Sequence, residues 1–166
     1  MNTFTRLMRH LMTTSLAGRR AFPDTTLQAI ENVIAEGERR HRAEVRVIVE
    51  SSLPLGAVLR SMTARQRALA LFAQYGVWDT EDNCGVLVYV NLADHKVEIV
   101  ADRGIDRRVA QDEWQEICRD MTGGFRHGAF LQSTLDAIGS INALLEQHFP
   151  DDGSSTNQLS DKPLVL

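Results

Sequence analysis

Apolar residues recur three and four positions apart over residues 2–17, at Phe4, Leu7, Met8, Leu11, Met12 and Leu16, which lines them along one side of a helix. The pattern predicts an amphipathic N-terminal helix within residues 1–21, closed by Phe22-Pro23-Asp24. Asp24, or Thr25 beside it, can accept hydrogen bonds from the free N–H groups of a second helix that runs to about Arg40. Its inward stripe is Leu27, Ile30, Val33, Ile34 and Gly37, and Glu31, Glu38, Arg39 and Arg40 form a solvated face. Residues 45–50 are rich in β-branched side chains and too short for an ordinary helix, so they read as a strand. Beyond a loop at Pro54, Thr63 caps a helix that carries Ala68, Leu69, Phe72 and Tyr75 inward.

Residues 76–85 form a polar, acidic loop that leads into a strand at 85–90, and a second strand follows at 96–101 after a short turn. The near-continuous apolar character of both strands predicts central positions covered on two faces. Two more helices finish the pattern. One carries Trp114, Ile117, Cys118, Met121 and Phe125, with Gly123-Gly124 expected to weaken or end it; the other carries Leu131, Leu135, Ile138, Ile141 and Leu145. After Pro150 the low hydrophobicity predicts a flexible tail over 150–166. The order implies helices packed around a mixed sheet, in one α/β domain over 22–149.

Composition adds few constraints on the fold and several on function. With 166 residues, 43% hydrophobic and 24% charged, the chain can bury a core without metal or disulfides. Cys84 and Cys118 form no Cys-x-x-Cys pair and read as buried thiols, which suits a reducing, cytoplasmic setting. The first 20 residues hold four arginines and no acid; removing those charges from the net −4 leaves −8 on the remainder. An export leader is not expected, because Arg9 and His10 interrupt the N-terminal apolar run, and no stretch reaches bilayer-spanning length. The basic helix can dock on its own domain, insert into an unidentified protein partner, or lie on an anionic membrane surface, peripherally. No nucleic-acid partner is expected, since the rest of the chain is acidic and lacks an aromatic stacking platform.

Three stretches together carry a resemblance: Arg67-Ala68-Leu69-Ala70-Leu71-Phe72; then Trp78, Asn83 and Gly85-Val86-Leu87-Val88-Tyr89-Val90; then Lys96-Val97-Glu98-Ile99-Val100-Ala101-Asp102-Arg103-Gly104. Over about residues 22–149 the chain resembles the TPM domain family. The resemblance implies a three-layer α/β/α sandwich with a central mixed sheet, here preceded by the N-terminal amphipathic helix. It also implies divalent-cation binding and acid phosphatase activity in some members, and accessory or assembly roles at membranes in others. The family's usual Gly-Tyr-Gly turn stands here as Asp102-Arg103-Gly104, and Cys84 occupies a position where a second asparagine is common.

No phosphate-cradling Gly-x-x-x-x-Gly-Lys loop, Gly-x-Ser-x-Gly elbow or His-Glu-x-x-His helix is present, so no catalytic residue is assigned. The five histidines are scattered and read as surface or boundary residues. If the two strands form a tight hairpin near Ala93 and Asp94, Gly85 lies opposite Asp102. The acidic loop then meets the Asp102 turn, gathering Asp79, Glu81, Asp82, Asn83, Asp102 and Asp106 as hard oxygen ligands suited to calcium or magnesium. An EF-hand does not fit, because its distal glutamate position falls at Val90. A solvated acidic loop and a cation site both remain open on these residues. The expected function is an accessory or interaction domain that binds a divalent cation at this hairpin end. The alternative is a divalent-cation-dependent, acid phosphatase-like hydrolase acting on phosphomonoesters.

Overall fold

The computed structural model describes residues 3–153 and 156–166. A four-stranded sheet in the order β3-β2-β1-β4 is built from β1 (Glu44–Glu50), β2 (Gly85–Asn91), β3 (Lys96–Ala101) and β4 (Leu164–Val165). β1 runs parallel to β2, from Glu44 opposite Gly85 to Glu50 opposite Asn91, and β3 returns antiparallel to β2. Every residue of β2 is buried, as its apolar run requires. β3 is instead an edge strand: Lys96 is exposed and Glu98 half-buried, while Val97 and Ile99 point to the core.

One face of the sheet carries α3 (Asp24–Glu38), α7 (Gln111–Arg126) and α8 (Phe130–His148), whose Ile30, Ile34, Trp114, Met121, Ile138 and Ile141 meet Val45, Val47, Val86 and Val88. The other face is covered by α5 (Ala64–Gln74), which sets Ala68 and Leu71 on Ile48, Leu87 and Tyr89. The three-layer α/β/α arrangement follows from this alternation along each strand. Thr63 caps α5 in a reciprocal box with Gln66. Leu69 and Leu131, expected inward, are 47% and 41% exposed. α7 runs through Gly123-Gly124 because α8 approaches it closely there: a Cβ on Gly124 would stand 1.8 Å from Ser133 Oγ.

The tail expected to be free from residue 150 is anchored instead. Glu44 is buried at the start of β1, and its carboxylate accepts the backbone N–H groups of Gln158 and Leu159 at 3.0 Å each. Arg46 reaches the carbonyls of Ser160 and Lys162. Leu164 and Val165 then pair with Ile48 and Val49, covering an edge of β1 that would otherwise expose unpaired backbone groups. The polar composition of 151–161 hides this, because the anchor lies in Glu44 and Arg46 and the apolar strand is only two residues long.

The N-terminal helix is broken in two, α1 (Thr3–Met12) and α2 (Ser15–Ala21), where Thr13-Thr14-Ser15 favours caps over helix interior. It packs on the main body: Leu7 sits with Leu53, Ala57 and Val58, the last two from α4 (Leu55–Leu59). Gly18 is buried against Ser51, where a Cβ would fall 2.3 Å from Ser51 Oγ.

Candidate functional site

The two ends of the parallel pair β1–β2 carry different chemistry. At the amino end of β2, the acidic loop and the Asp102 turn do converge, in the register expected from the hairpin: Asp102 N–H donates to Gly85 O at 2.9 Å. Gly104 N–H donates to Asn83 O at 3.0 Å, and a Cβ on Gly104 would lie 2.6 Å from that oxygen and 2.7 Å from Asp82 O. Only glycine permits this approach. Within the loop, Thr80 Oγ1 accepts from Cys84 N–H at 2.9 Å, and Asn83 takes a left-handed φ of 53°.

Two of the five carboxylates at this end are met by arginine or backbone. Asp82 Oδ2 lies 2.8 Å from Arg42 Nη1, and Asp102 Oδ1 accepts Arg103 N–H at 2.7 Å at the start of α6 (Arg103–Asp106). Asp102 is 6% exposed, and its Oδ2 is buried with no hydrogen-bond partner. A depression of 310 Å³ is lined by Asp82, Asn83, Arg103, Gly104 and Arg107. Asp79, Glu81 and Asp106 are exposed and do not line it. Among the described residues, no three His, Cys, Asp or Glu side chains are grouped so as to hold a metal ion. Sequence reasoning misses Arg42, which lies 40 residues from Asp82 and is brought there by the β1–β2 register.

At the carboxyl end, Glu50 and Asn91 close β1 and β2 and are both buried. Arg67 grips Glu50 through Nη2 at 2.7 Å and Nε at 3.0 Å, and Tyr89 donates its hydroxyl to Glu50 Oε2 at 2.6 Å. Burial first, and then the Glu50 charge, push the Tyr89 phenol well above its ordinary value. Asn91 Nδ2 donates to the Tyr89 hydroxyl at 2.9 Å, while Asn91 Oδ1 accepts Asp94 N–H at 2.8 Å. The network therefore ends on Asp94, in the turn between β2 and β3.

Asp94 is where the N-terminal arm is fastened. Arg6 donates to it through Nε at 2.9 Å and Nη2 at 2.6 Å, and Arg9 stands 3.5 Å away. His10 Nε2 lies 3.1 Å from Asp94 Oδ1, and His10 Nδ1 accepts Leu53 N–H at 3.0 Å, so the ring proton belongs on Nε2. His10 and His41 are thus buried residues with defined partners, contrary to the surface positions expected for them. Burial pushes the Asp94 carboxyl up, but Arg6 and His10 outweigh this and hold it below the usual carboxylate range.

With the polar side of α1 turned inward, its apolar side faces out. Phe4, Met8, Leu11 and Met12 are 68%, 41%, 50% and 76% exposed, and Leu16 of α2 is 55% exposed. Leu55 and Leu59 of α4, on which α1 packs, are also exposed. The sequence stripe is real, but only Leu7 of it turns toward the body. Among the described residues, no helix is long and apolar enough to cross a membrane.

A family model described as TPM domain matches residues 19–144. Among solved structures, the chain is similar to the BA42 protein from the psychrophilic bacterium Bizionia argentinensis sp. nov., determined by NMR. The two are 25% identical with a TM-score of 0.75, over 86% of this chain and 93% of that one. No curated protein matches.

Proposed function

The chain belongs to the TPM domain family, and we propose that it works as an accessory interaction module that settles on an anionic membrane surface through its N-terminal arm. The observation that carries this reading is the outward apolar face of α1, anchored from behind by Arg6 and His10 on Asp94. Phe4, Met8 and Leu11 recur along one helix side, the spacing of a helix lying in a bilayer interface. Arg19 and Arg20 of α2 are exposed and the arm itself carries no acid before Asp24, which suits anionic headgroups. Cosedimentation with phosphatidylglycerol-containing vesicles tests the reading: binding that falls with added salt and is lost on phosphatidylcholine alone supports it, and equal recovery with both lipids rejects it.

A second reading is favoured by the unpartnered Oδ2 of Asp102. A divalent cation at the loop end would draw on the Asp82 and Asp102 carboxylates and on Asn83, with calcium the more forgiving ion. The fit is incomplete, since calcium takes six to eight oxygens and Arg42 already holds Asp82. In a hydrolase, such an ion would polarise a phosphoryl oxygen, and Arg103 and Arg107, which line the depression with Asp82 and Asn83 but without Asp102, would pair with phosphate. Calcium at about 100 times its dissociation constant would stabilise the fold by roughly 2.7 kcal/mol, with Asp102→Asn diminishing the shift and Asp151→Asn leaving it. A flat melting titration in chelator-treated protein removes the cation, and absence of magnesium-stimulated phosphomonoester turnover removes the hydrolase.

A further inference from the structure

Between the arm and the body lies a groove of 760 Å³, walled by α2, the β2–β3 turn, the end of α7 and the start of α8. Asn91 and Leu92 line it, so it opens beyond the carboxyl end of β2, the position at which open parallel α/β sheets receive ligands. Its volume falls within the range of about 300–1,000 Å³ typical of small-molecule sites. The walls are apolar on one side: Phe125 and Phe130 pack tilted with centroids 5.0 Å apart, both edge-on to the buried Phe22. Leu16 and Met12 face them across the opening.

The charged residues of this groove are Arg20 and Arg126, joined by His95, and no Asp or Glu lines it. Arg6, Arg42 and Arg67 each hold a carboxylate elsewhere in the fold. Arg20 and Arg126 are exposed and make no ion pair or side-chain hydrogen bond among the described residues. Two unmatched guanidinium groups at the rim of an apolar trough call for a ligand that is anionic at one end and apolar along its length. A peptide would fit less well, because its backbone N–H and C=O groups need partners along their whole length, whereas Leu16, Ala17, Ala21, Leu92, Phe125 and Phe130 line much of the groove and Asn91 is already committed to Tyr89 and Asp94. An acyl chain has no such requirement.

We propose that this groove binds a single-chain anionic amphiphile of the fatty-acid class, its carboxylate paired with Arg20 and Arg126 and its chain laid over Leu16, Phe125 and Phe130. The site adjoins the outward ridge and shares Met12, Leu16 and Arg20 with it, while Phe4, Met8 and Leu11 do not line it. The two readings are told apart by the probe: monomeric acid without vesicles tests the groove, and vesicles test the ridge.

The test uses the full chain and monomeric cis-parinaric acid below its micelle concentration, without vesicles, followed by fluorescence. Saturable one-to-one binding is expected, displaced by palmitate and displaced at least about tenfold less well by hexadecanol, a difference of about 1.4 kcal/mol. Arg20→Gln with Arg126→Gln should weaken the acid by about tenfold or more and leave the alcohol unchanged, with the urea midpoint retained because both side chains are exposed. Absence of saturable binding overturns the proposal. So does equal displacement by acid and alcohol, or wild-type affinity in the double variant. Vesicle sedimentation of the same proteins is read separately.

Discussion

Arg6 of α1 holds Asp94 of the β2–β3 turn through two parallel hydrogen bonds, Nε to Oδ1 at 2.9 Å and Nη2 to Oδ2 at 2.6 Å. The same Nη2 donates to Met62 O at 2.6 Å, so one guanidinium ties the arm to the hairpin and to the segment after α4. Such a planar fork is not replaced by lysine. Asp94→Asn keeps the size and removes the charge that Arg6 and His10 share. Amide exchange over residues 3–12 should then quicken relative to α8. Unchanged exchange would mean that the packing of Leu7 alone holds the arm. The pH dependence has a definite sign: a carboxyl held below its ordinary value stabilises the folded state at neutral pH, and that contribution is lost as pH falls through the lowered value.

The Glu50 network behind this turn is buried, which makes it sensitive to partial removal. Arg67→Met leaves Glu50 at 3% exposure without its ion-pair partner, held only by the Tyr89 hydroxyl, and should cost about 3–5 kcal/mol by urea unfolding. Tyr89→Phe removes two hydrogen bonds, one to the Glu50 carboxylate and one from Asn91 Nδ2, and should cost at least about 1.5–3 kcal/mol. An Arg67→Met variant as stable as wild type would contradict the pairing.

Glu38 behaves unlike the solvated residue its helix position suggests. Its Oε1 accepts Val45 N–H at 2.8 Å, its Oε2 is buried without a partner, and burial drives its pKa to about 9 from 4.5. A raised carboxyl favours the folded state fully below pH 4.5, and the contribution drains away as pH rises toward 9, by at most about 1.4 kcal/mol per unit. Glu38→Gln keeps an acceptor for Val45 and cannot ionise. It should flatten this decline and exceed wild type in melting temperature at the alkaline end. Parallel pH profiles for the two proteins would rule the burial effect out.

Much of the fold is legible in the sequence because local signals and tertiary packing agree. Thr63 announces a helix start, the run at 85–90 announces a fully covered strand, and the short turn after it fixes Gly85 opposite Asp102. What escapes the sequence depends on distant partners. Arg42 reaches Asp82 only through the parallel β1–β2 register, and Leu164 finds its strand only because Glu44 and Arg46 hold the polar segment before it. The N-terminal stripe identifies the helix but not its orientation. The inward side is set by Arg6 and His10 meeting Asp94, so the polar residues anchor and the apolar ones remain outside.

The loop end offers a purely steric test. Gly104→Ala would bring a Cβ to 2.6 Å from Asn83 O, a backbone atom that cannot rotate away. The turn should separate from the acidic loop, with faster amide exchange at residues 80–85 and a lower melting temperature. Gly123→Ala is the control, since its Cβ meets nothing within 4 Å. Equal melting of the two variants would contradict the close approach.

The outward face of α1 is the part of the molecule on which the proposed function depends. Replacing Met8 and Leu11 together by serine removes exposed apolar surface and leaves Phe4, Arg6, His10 and Leu7 in place, so the arm should stay docked and the melting temperature should hold. The decisive measurement is the partition coefficient of this variant and the wild type onto phosphatidylglycerol-containing vesicles at fixed ionic strength. Full burial of each such side chain contributes about 1.5–3 kcal/mol, so partitioning should fall by about tenfold or more. A variant that remains folded and partitions as the wild type does would contradict the membrane-surface account.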